Sequence, residues 1–177
     1  MSEKWDIKDI AAAHFGTYVD AQTQKRRNSD YLAFVGIPLI LGISSGVLRI
    51  FCSFELYDVS KLVGGIGIFT GLLFGLLTNV FTLSLKLQRD EDLADHATAK
   101  NVKELFANVS WAVFVGLVLV VMLVVCGATN PPSRPISWVW TVVLVVLFTH
   151  LILTVLMALK RLWMAHSKIA LLPPKEK

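Results

Sequence analysis

Charge is what this sequence has least of: Asp, Glu, Lys and Arg together make 17% of its 177 residues, where a soluble globular domain carries about 25%. No carboxylate falls inside any of its long apolar runs, which excludes a small proton-coupled exporter, whose mechanism needs a membrane-embedded acid. Cysteine is limited to Cys52 and Cys126, and the absence of a CxxC spacing excludes a thiol oxidoreductase. His14, His96, His150 and His166 are scattered without an i, i+4 pair, so no metal site is expected. Neither a glycine-rich phosphate loop opening a helix nor a Ser, His and acid grouping is found. The sequence therefore predicts no enzyme and no cofactor. Polar segments long enough to build a separate core, or large loops suited to adhesion, are missing too.

What remains is apolar: 55% of residues are hydrophobic and the mean hydropathy is +0.63. Crossing a bilayer as a helix takes about 20 mostly apolar residues. Four runs meet that length, Tyr31–Phe54, Leu62–Leu85, Trp111–Thr129 and Ile136–Trp163. The first follows a polar stretch holding Lys25, Arg26 and Arg27 and reads as a retained anchor, not a signal peptide. Domain organisation follows: a cytoplasmic amphipathic segment 1–30, a transmembrane domain 31–163 and a tail 164–177.

Lysine and arginine sit asymmetrically about these runs. Fourteen lie in the N-terminal segment, between the second and third runs, and at the C-terminal end; three, Arg49, Lys61 and Arg134, lie by the other two connections. The positive-inside rule then places both termini in the cytoplasm of a multi-pass protein. The net charge of +4 belongs to that topology and to contact with anionic lipid, so no direct nucleic-acid binding is expected. Short outer links, Glu55–Lys61 and Asn130–Pro135, make sequential runs antiparallel neighbours. The expected fold is an all-α, up-down four-helix transmembrane bundle.

On the inner side, residues 5–20 place Trp5, Ile10, Ala13 and Tyr18 within reach of one helical face, a short amphipathic helix for a membrane surface or a partner. Leu87–Asn108, with acids early, lysines late and neither proline nor glycine, extends the second and third runs as a cytoplasmic helical hairpin. Its acidic cluster Asp90, Glu91, Asp92 and Asp95, together with Trp5, Tyr18, Lys25, Arg26 and Arg27, forms the candidate docking set for a cytosolic protein. The plain alternative is a solvated charged face.

Glycine is where the second run is unusual. Gly64, Gly67, Gly71 and Gly75 continue into Thr78 and Thr82 along one helical stripe, and the first run has its own small-residue seam from Gly42 to Gly46. In lipid such stripes let backbones approach closely. The simpler reading packs the two seams against each other inside one subunit. The sharper one turns the second stripe towards its own copies in a homo-oligomer, a tetramer as the first expectation, with Thr70, Thr78, Asn79 and Thr82 as polar lining. His150, counted from the ends of the fourth run, falls near the bilayer centre, as a switch or as a structurally satisfied imidazole. Arg49 is expected to reach the interface or to pair with Glu55.

The layout, a polar N-terminal helix, the basic KRR before DYLAFVGIPLILGI, four runs, short outer links and a charged inner hairpin, resembles small four-span membrane subunits of bacterial antiphage defence systems such as Kiwa. The resemblance implies a homo-oligomer of the bacterial inner membrane whose cytoplasmic face engages a soluble partner on infection. Two functions follow as expectations: a membrane scaffold or sensor that recruits a cytosolic effector, or a gated pore that depolarises the membrane.

Overall fold

The computed structural model describes residues 7–18, 28–52, 55–89 and 96–169. Most of those residues are helical and none forms a strand: α1 (Lys8–Gly16), α2 (Asn28–Tyr31), a π-helical turn (Leu32–Gly36), α3 (Ile37–Cys52), α4 (Ser60–Arg89), α5 (His96–Thr129) and α6 (Trp138–Ile169). Trp5, Lys25, Arg26, Arg27, Asp90, Glu91, Asp92 and Asp95, all expected at a docking face, lie outside the described residues.

Four stretches are long and apolar enough to cross a membrane: Leu32–Cys52, Ser60–Arg89, Ala99–Thr129 and Trp138–Met164. Their outward surfaces carry Leu32, Phe51, Ile68 and Leu72, each about 70–80% exposed, as expected of a membrane protein whose solvent there is lipid. Local chemistry sets the ends of these helices. The Asp58 side chain accepts from the Ser60 backbone N–H at 3.1 Å, which starts α4. At the end of α5, Asn130 turns its amide back on the Cys126 carbonyl at 2.8 Å, and Pro131 and Pro132 prevent continuation.

The lateral order of the helices is α3, α6, α5, α4, because α3 packs on α6, α6 on α5 and α5 on α4, while α3 and α4 do not approach each other closely. The expected pairing of the first two spans is therefore not what forms. The short link between them runs across the end of the bundle, where the Leu56 carbonyl accepts the Ile136 N–H at 2.9 Å. A short connection limits the distance between two helix ends but does not force the helices into contact. The most enclosed span is α5: Val102, Leu105, Val109, Ala112, Leu119, Leu123 and Cys126 are buried on it and meet Leu73 and Val80 of α4 and Leu144, Leu151 and Ala158 of α6. Cys126 and Cys52 are both free thiols.

Candidate functional site

Polar groups gather at the end of the bundle that carries α1. The cause begins with Pro38. Proline has no N–H, so the carbonyl of Phe34, four residues earlier, lacks its α-helical donor. The chain widens there into the π turn, in which the Ile37 N–H reaches back to the Leu32 carbonyl. His150 of α6 supplies the missing donor, its Nδ1–H donating to the Phe34 carbonyl at 2.9 Å. The other ring nitrogen, Nε2, accepts from the Trp111 indole N–H of α5 at 2.9 Å. His150 is thus a neutral imidazole with both nitrogens used.

Trp111 lies within the Ala99–Thr129 stretch and His150 within Trp138–Met164, so this hydrogen-bonded pair joins two membrane-length helices, and Phe34 of the Leu32–Cys52 stretch adds a third.

A second histidine completes the site. The His14 ring of α1 stacks on Trp111, with centroids 5.4 Å apart and planes 16° from parallel, and is fully buried. Its Nδ1–H donates to Asn108 Oδ1 of α5 at 2.9 Å, and Nε2 accepts from the Tyr18 hydroxyl at 2.7 Å. The Thr17 hydroxyl donates to the His14 carbonyl at 2.7 Å and lies 3.1 Å from Asn108 Oδ1. The amide nitrogen of Asn108 is buried without a partner. Arg161 of α6 binds Glu104 of α5 and donates to the Thr17 carbonyl at 2.9 Å, placing a cation at the C-terminus of α1. Burial, followed by the proximity of His150 and then the positive charge of Arg161, lowers the His14 pKa to about 4, although the Asn108 hydrogen bond opposes that shift.

The face of α1 expected to meet a membrane or a partner is split by docking on the bundle. Ile10 and Ala13 are exposed, while His14, Thr17 and Tyr18 are buried. Tyr18, expected at a partner surface, is 1% exposed and turned inward. His14, Glu104, Asn108, Trp111 and Arg161 did not stand out in the sequence, although Glu104, Asn108 and Trp111 recur at i, i+4 and i+7 on one face of α5.

The glycine seams part company. A Cβ on Gly42 would lie 2.3 Å from Val146 Cγ2 and 3.1 Å from the Val142 carbonyl, and one on Gly46 would lie 2.7 Å from Val142 Cγ2, so this seam packs on α6 and not on α4. Around Gly64, Gly67, Gly71 and Gly75 nothing among the described residues lies within 4 Å of such an atom. At about 100° per residue these glycines, with Thr78 and Thr82, centre opposite Leu73 and Val80, the residues of α4 buried against α5. Thr70 leaves the stripe: it is buried beside Gly116, whose added Cβ would stand 2.6 Å from Thr70 Oγ1. Thr78 and Thr82 donate to the Phe74 and Thr78 carbonyls at 3.2 and 3.0 Å, whereas Asn79 is exposed and makes no hydrogen bond to the described residues. Arg49 forms no ion pair with Glu55; one of its guanidinium nitrogens is buried without a partner among the described residues.

No protein-family model, curated protein or solved structure gives a match to the chain. The function has to be argued from the two features above, the polar junction under α1 and the open face of α4.

Proposed function

We propose that this protein is a homo-oligomeric subunit of a bacterial inner membrane, assembled through the outward face of α4 and engaged by a cytosolic protein at the end that carries α1. The observation that supports this reading is the unpartnered α4 face. A helix that keeps Gly64, Gly67, Gly71 and Gly75 on the side turned away from its own bundle gains no packing from them among the described residues. Each glycine costs about 1 kcal/mol of helix propensity relative to alanine in water. A second copy of α4 would make close approach possible and would give the Asn79 amide a partner out of hydrocarbon, where an unpaired amide costs several kcal/mol.

Lysine and arginine placement supports cytoplasmic termini, and the layout shared with antiphage subunits supports a role in defence against infection. One specific observation favours a pore as the second reading. Thr78, Asn79 and Thr82 lie on the same open face, so a ring of copies would line its centre with them.

Mass measurement of the full-length protein in lipid nanodiscs tests the first reading. A species of several chains is expected for the natural sequence and a monomer for the Gly71→Leu, Gly75→Leu double variant; a monomeric natural protein would overturn it. Thr78→Val with Asn79→Leu separates the two readings. If the assembled variant stops conducting when triggered, the pore stands, and if depolarisation is unchanged the pore falls.

A further inference from the structure

α1 has nine residues, too few to hold a helix in water without tertiary contacts. It lies against the bundle mainly through α5, and the groups it buries there are polar: His14, Thr17 and Tyr18. A helix anchored by hydrocarbon would be indifferent to protons; this one is anchored by an imidazole.

The ring is fully buried and its two nitrogens are taken by neutral groups, Nδ1 by Asn108 and Nε2 by the Tyr18 hydroxyl. A second ring proton at Nε2 would turn that hydroxyl from donor to acceptor, and its own hydrogen would need another acceptor in a buried site. Among the described residues, the charged and titratable groups around the ring offer little compensation. From α6 come Arg161 and His150, the latter with ring centroids 6.1 Å away and its own two nitrogens occupied. From α5 come Trp111 and Glu104, and the Glu104 carboxylate is bound by Arg161 with Lys100 at 4.0 Å. Tyr18 packs edge-on to the ring, and Tyr31 lies behind Tyr18. Two contacts favour a cation, the Asn108 hydrogen bond and the stacking on Trp111.

We propose that α1 is a proton-sensitive latch, docked on α5 and α6 while His14 is neutral and released when that ring takes up a proton. Release would uncover Asn108 and Trp111 and remove the Arg161 contact to the Thr17 carbonyl, so the free helix and the recess it leaves become available together. The inference concerns α1 alone and stands whichever partner binds this end.

The direction follows from linkage. The docked ring titrates near 4 and a free one near 6.5, so docking is at full strength above pH 6.5 and weakens as pH falls from there towards 4. Between pH 7.5 and pH 5 the docking equilibrium should weaken roughly 30-fold. Hydrogen–deuterium exchange of residues 8–18, on the full-length protein in nanodiscs and corrected for the intrinsic pH dependence of exchange, reads this directly. A drop of that order in the natural protein, absent from a His14→Gln variant, is expected. Protection that stays flat to pH 5, or that falls equally in the variant, overturns the latch. Should His14→Gln leave α1 unprotected at every pH, titration of isotope-labelled His14 in the natural protein decides. A midpoint below 6.5 that coincides with loss of protection supports the latch, and a midpoint at 6.5 with α1 still protected sinks it.

Discussion

Gly42 and Gly46 on α3, and Gly71 and Gly75 on α4, share the same four-residue spacing in apolar helices, yet they meet opposite surroundings. The α3 pair is buried, with the valines of α6 where a side chain would stand. The α4 pair is exposed, with nothing among the described residues within 4 Å of where a side chain would start. The spacing alone therefore says that a helix is prepared for close approach. It does not say to what. On α3 the approach is completed inside the chain, which is why α3 sits beside α6; on α4 the small face points out of the fold.

The sharpest way to break this contrast is to fill both rows. Gly42→Leu is expected to cost about 3 kcal/mol or more, since the obstacle includes the Val142 backbone carbonyl, which cannot rotate aside. Reversible unfolding in mixed micelles should show the loss, and α3 should become accessible to exchange along its length. An equal loss for Gly71→Leu in a demonstrably monomeric sample would abolish the distinction between the rows.

A smaller effect is expected at Gly116, which does for α5 and α4 what Gly42 does for α6 and α3. Its neighbour is the tip of a side chain, Thr70 Oγ1 and Cγ2 at 2.6 and 3.0 Å from an added Cβ, and not backbone. Gly116→Ala should cost about 1–2 kcal/mol, and Thr70→Ala in the same chain should recover part of it, a coupling that a double-mutant cycle measures. Strict additivity of the two changes would mean that the α4–α5 contact shifts freely at this point.

How much of this could be read from residues alone differs between the spans and the site. The four spans were legible because length and apolarity are sufficient signals for a membrane helix. Their lateral order was not, since it depends on which helix supplies valines to Gly42 and Gly46, and the fourth span is rich in valine on several faces. The polar junction was half legible. Pro38 in the first span announces an unsatisfied carbonyl at Phe34, and His150 is the one histidine inside an apolar run, but nothing local ties the two together. His14 was obscured for a different reason. Amphipathic reasoning groups Ile10, Ala13 and Tyr18 on one face of this segment for a membrane or a partner, whereas the surface on α5 offers Asn108 and Trp111 and draws in His14 with Tyr18, and a helix docks to suit what faces it.

The smallest expected effect on the fold is also the one that separates packing from assembly. Gly71→Ala with Gly75→Ala adds two methyl groups where no atom of the described residues lies within 4 Å, so those residues have nothing to displace. Helix propensity favours alanine by about 1 kcal/mol per site in water, so unfolding of the monomer should be unchanged or shifted slightly towards stability. Self-association should respond in the other direction, because in lipid the attraction between helices is mostly van der Waals packing, and two methyl groups hold backbones apart. Equilibrium energy transfer between labelled copies in vesicles, measured against dilution in lipid, should then show weaker association for the alanine pair and a further drop for the leucine pair. If both pairs associate as well as the natural chain, α4 does not meet its copies. The same measurement on Asn79→Leu isolates the amide: a loss there with the glycines intact would mean that hydrogen bonding contributes to association beyond the close approach of backbones.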